Sequence, residues 1–157
     1  MSELTTGLIE EEFHMLCGAG EYAAAYQLAT REAGRFPAWA QATIYNWRFC
    51  TAALMGDPAL ALRLIEEALD AGYWYGEAYL REDCDLAALR GMPEFERLIA
   101  LAGRRRDEAF AQARPELNIL MPMGGTTPYP LLLALHGNNS NITDFRRTWD
   151  AFTIACI

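Results

Sequence analysis

Helical spacing of apolar residues runs without a long break from residue 4 to about residue 113, and this pattern constrains the fold most. The stretch is rich in Ala, Leu, Glu and Arg, and turn-forming residues fall where helix ends are expected. Arg114-Pro115 then stops the pattern, because proline cannot continue a helix. We therefore predict a helical module at 1–113 and a different unit at 114–157.

The segment 57–71 shows the helical pattern best. Asp57 can cap the free amides of a helix, and Pro58 suits its first turn. Gly72 can adopt the left-handed conformation that commonly ends a helix. Apolar and charged residues fall on opposite faces of this helix. We expect the buried face to consist of Ala61, Leu64, Ile65, Ala68 and Leu69.

A second copy of the pattern begins 36 residues upstream, since Gly20 and Ala25 align with Gly56 and Ala61. Further helices predicted at 5–16 and 41–55 precede the two copies, so the helices alternate as pairs. A period near 34 residues with small residues at fixed positions resembles tetratricopeptide arrays, although Glu32 replaces one small residue. The resemblance implies an antiparallel helix-pair module that binds a protein partner.

The following stretch, 73–95, resembles the end module of some tetratricopeptide arrays. We expect Asp85 to cap a short helix at 86–90 and Gly91 to close it. Pro93 should start a last helix that buries Phe95, Leu98, Ile99 and Ala102. A metal site at Asp83 and Asp85 is the alternative, but calcium requires about six oxygens and no third hard ligand is nearby. Capping is favoured, and we predict no metal.

Two apolar runs after the boundary, 117–121 and 131–135, are typical of strands. The second ends in LLLALHGNNSN and resembles the start of an α/β-hydrolase of the esterase and phospholipase type. That resemblance implies an oxyanion-hole turn, shaped by His136 and Gly137, in which the amide of Asn138 is the donor. The alternative is an ordinary strand-ending turn.

The remaining catalytic parts of such a hydrolase are missing from these residues. The family needs a Gly-x-Ser-x-Gly elbow and a later acid and histidine, whereas the only serines are Ser2 and Ser140. His14 lies within a predicted helix, and we expect it to be structural. The sequence thus predicts a mainly α chain that is the N-terminal portion of a serine hydrolase and is inactive as this fragment. A helical interaction module without catalysis is the alternative.

Charge and composition limit the partners. The net charge of -8 disfavours nucleic acid, which is bound by clustered Lys or Arg. No apolar run approaches the roughly 18 residues of a membrane span, and no leader is evident, so we expect a cytoplasmic chain. The four cysteines form no Cys-x-x-Cys pair, and we expect buried reduced thiols. We predict no cofactor; an ester is the expected substrate of the full-length hydrolase.

Overall fold

The computed structural model describes residues 3–114 and Ile119. Contacts within the chain divide it into two units, Met1–Ala113 and Arg114–Ile157. The predicted strand at 131–135 lies outside the described residues, and only Ile119 of the predicted strand at 117–121 is described. The description that follows is therefore that of the first unit.

The described part of the chain is helical and contains no strand. Its six α-helices are α1 (Glu3–Gly18), α2 (Tyr22–Glu32), α3 (Gln41–Leu54), α4 (Pro58–Asp70), α5 (Glu77–Glu82) and α6 (Pro93–Gln112). Short 3-10 helices at Ala33–Arg35, Ala38–Ala40 and Cys84–Leu89 join some of them. Neighbouring helices from α1 to α4 pack against each other along the chain, as short connections favour. The predicted mainly α fold is confirmed.

Local signals explain where the helices begin and end. The Asp57 side chain accepts a hydrogen bond of 2.9 Å from the amide of Leu60, and Pro58 is the first residue of α4. Gly72 follows α4 with φ of +90°, a conformation that costs L side chains energy. Gly56 has the equivalent place after α3, at φ of +79°. The predictions for the segment 57–71 are confirmed, including its buried face.

The prediction that Asp85 is a helix cap is wrong. The 3-10 helix begins at Cys84, so Asp83 occupies the capping position, and its Oδ1 accepts a hydrogen bond of 3.0 Å from the Asp85 amide. Asp85 lies within the first turn of that helix. Gly91, with φ of +80°, follows the helix as expected.

Helix α3 lies at the centre of the unit, because it contacts α2, α4 and the 3-10 helix at Cys84–Leu89. Two apolar clusters meet along it. The smaller cluster joins α1 and α2 to Ile44 and Trp47 of α3. The larger joins the other side of α3 to α4 and α6, and it contains Phe49 together with the predicted core residues Phe95, Leu98, Ile99 and Ala102.

Glu32, the residue that departs from the repeat pattern, is a buried carboxylate with two cationic neighbours. Its oxygens lie 2.7 Å from Arg31 Nε and 2.8 Å from Arg35 Nε. The hydrogen bond from Arg31 lowers the pKa of Glu32 below its ordinary value, and the charge of Arg35 acts in the same direction. An acid is thus accommodated at a position where a small residue was expected.

Candidate functional site

A cavity of about 320 Å³ opens among α1, α3, α5 and the 3-10 helix at Cys84–Leu89. One wall is aromatic: Phe13 of α1 and Trp47 of α3 are stacked with ring centroids 4.2 Å apart and an interplanar angle of 11°. The ring of His14 lies edge-on to both, with centroids 5.5 Å from Phe13 and 5.7 Å from Trp47. His14 was expected to be structural, and these contacts give it a packing role at the cavity wall.

The other wall is polar, and we call it the polar pocket: Asn46, Cys50, Tyr79, Asp83 and Asp85. Asn46 and Cys50 share one face of α3 because they are four residues apart. Asn46 Nδ2 donates to Cys50 Sγ at 3.5 Å, and the Cys50 thiol donates to Asp83 Oδ2 at 3.6 Å. The second of these weak hydrogen bonds connects α3 to Asp83 at the start of the 3-10 helix.

The thiol, Asp83 and Asp85 bring three potential ligand atoms within 4.8 Å of one another. Sequence reasoning considered the two aspartates and missed Cys50. Cys50 is 33 positions from Asp83 in the chain, so only the packing of α3 against the 3-10 helix brings them together. No local signal could have identified the pair.

Burial and neighbouring carboxylates favour the protonated forms of two groups in the polar pocket, Asp85 and Cys50. Burial raises the pKa of Asp85, and the neighbouring Asp83 carboxylate raises it further. Burial also raises the pKa of the Cys50 thiol far above its ordinary value, and both aspartates act in the same direction. Cys50 is therefore a neutral thiol and a poor nucleophile.

The described residues do not supply the catalytic parts of a serine hydrolase. They include no serine, and the hydroxyl of Thr51 is occupied by a 2.6 Å hydrogen bond to the Trp47 carbonyl. His136, Gly137 and Asn138, the predicted oxyanion turn, lie outside the described residues.

The expectation of buried thiols is only partly correct. Cys50 is buried, but Cys17 is partly exposed and Cys84 is exposed. All three are free, and Cys156 lies outside the described residues. Cys84 is exposed because its place at the start of the 3-10 helix turns it away from the core that buries Leu86 and Leu89.

Comparison with known families assigns the helical unit to one of them. Residues 5–110 match the profile of the family described as A/B hydrolase-like, N-terminal domain. The chain belongs to this family. The expected relation to α/β-hydrolases is thereby confirmed. The match covers the helices α1 to α6 and not the LLLALHGNNSN segment that carries the resemblance. No curated protein matches the sequence significantly.

Among solved structures, the chain is similar to an uncharacterized protein from Bacillus cereus ATCC 10987, whose crystal structure was determined at 2.75 Å. The TM-score is 0.62 and the sequence identity is 23%. The similarity covers 79% of this chain and 39% of that one, so this chain spans less than half the length of its structural relative. The likeness supports the fold of this member of the A/B hydrolase-like N-terminal family. No described helix is long and apolar enough to cross a membrane.

Proposed function

We propose that these 157 residues are the N-terminal part of a longer serine hydrolase, of the carboxylesterase or phospholipase kind, in which the helical unit precedes the catalytic domain. The family match over residues 5–110 carries the proposal, because the family is defined as the N-terminal domain of A/B hydrolase-like proteins. The length of the Bacillus cereus relative supports it, since this chain covers 39% of that protein.

The residues after the helical unit give the proposal its chemistry. The segment LLLALHGNNSN follows the pattern of an early hydrolase strand and its oxyanion turn. In this proposal His136 and Gly137 shape the turn, and the amide of Asn138 stabilises the negative charge that develops on an attacked ester carbonyl. The nucleophile, acid and base would come from residues beyond 157, so the chain alone is inactive.

The test is to extend the reading frame past codon 157 and purify the longer protein. We expect a Gly-x-Ser-x-Gly elbow, labelling of its serine by a fluorophosphonate, and hydrolysis of p-nitrophenyl butyrate. The 157-residue chain should show neither labelling nor hydrolysis. A longer frame without the elbow, or a full-length protein that fails to react with the probe, would refute the proposal.

The oxyanion assignment has its own test in the longer protein. Asn138→Pro removes the backbone N–H and should lower kcat by roughly 10²- to 10³-fold, whereas Asn138→Ala keeps the amide and should have a small effect. Equal effects of the two substitutions would show that the amide is not the donor. Circular dichroism checks that both variants fold.

A second candidate is a tetratricopeptide-like interaction module without catalysis. It is favoured by the equivalent places of Gly20 and Gly56 after α1 and α3, and by Ala25 and Ala61, which are fully buried where helices approach closely. Deleting residues 1–113 from the longer protein separates the two functions. An unchanged kcat/KM for a small ester, with loss of a defined protein partner, would favour the interaction role.

A further inference from the structure

We draw no further inference here: the strongest candidate, the exposed aromatic patch that Trp74 forms with Phe110 in the last turn of α6, carries nothing because the residues that the structure describes do not show what covers it.

Discussion

The phenol of Tyr75 donates a hydrogen bond of 2.8 Å to the backbone carbonyl of Ala42, which ties the loop after α4 to the first turn of α3. The Tyr75 ring is buried and lies edge-on to Phe49 at 5.4 Å between centroids. The Tyr75 ring therefore packs in the larger apolar cluster, while its hydroxyl fixes the loop to α3.

Tyr75→Phe should lower the free energy of unfolding by about 1 kcal/mol, because the ring stays packed while one buried hydrogen bond is lost. Urea denaturation measures the change. Tyr73→Phe is the control: Tyr73 is partly exposed, its hydroxyl makes no hydrogen bond with any described residue, and the change should stay within about 0.5 kcal/mol. Equal effects of the two substitutions would contradict the role of the hydroxyl.

Helix α4 could be predicted in full because its determinants are local. Asp57, Pro58 and Gly72 act on residues no more than a turn away, and the 3.6-residue period alone identifies the buried face. The cap of the 3-10 helix shows the limit of this approach. Asp83 and Asp85 both satisfy the capping rule, and the choice depends on where packing starts the helix.

The candidate site could not be predicted because its members are far apart in the chain. Phe13, Trp47 and Asp83 come from α1, α3 and the start of the 3-10 helix, and only the packing of these elements forms the cavity. The exposure of Cys84 follows equally from tertiary packing, against the usual burial of cysteine. The hydrolase relation was predicted from the contiguous segment LLLALHGNNSN, whereas the family match rests on the helices at residues 5–110.

The second prediction concerns Gly56, a glycine with positive φ. Gly56→Ala should lower the free energy of unfolding by about 1–2 kcal/mol, because alanine is strained at φ of +79°. An added Cβ there meets nothing within 4 Å, so the cost is that of the backbone alone.

Gly103 is the matched control for that substitution. It lies inside α6, and an added Cβ again meets nothing within 4 Å. Gly103→Ala should raise the free energy of unfolding by about 0.5–1 kcal/mol, because alanine loses less entropy in a helix. Thermal unfolding of both variants gives the signs, and a Gly56→Ala variant as stable as the wild type would contradict the strain.

Because the Cys50 thiol is buried, we expect the chain to lose stability at alkaline pH. Because the pKa of Cys50 is raised in the folded chain, mainly by burial, only the unfolded chain releases this proton above pH 8.5 or so. The free energy of unfolding should therefore fall as pH rises, and between pH about 8.5 and 10 this one group contributes a loss of about 2 kcal/mol.

The Cys50→Ala variant isolates that contribution. Its stability at pH 8 will be lower than that of the wild type because a core side chain is truncated, but its further loss by pH 10 should be smaller. Guanidinium denaturation at the two pH values measures both quantities. Cys84→Ala, at an exposed cysteine, should lose as much stability as the wild type over this range. Parallel losses in the wild type and Cys50→Ala would disprove the role of the thiol.

The Asp85 carboxylate is expected to lower the stability of the fold at neutral pH. Its pKa is raised by burial and then by Asp83, so the folded state disfavours the ionised carboxylate. Below its unfolded pKa of about 3.9 the group is protonated in both states and contributes nothing; above its folded pKa the full penalty applies. Asp85→Asn should thus be more stable than the wild type at pH 7, and the difference should shrink as pH falls toward 4. Urea denaturation across this range measures it, and a variant that is less stable at pH 7 would show that the Asp85 carboxylate stabilises the fold.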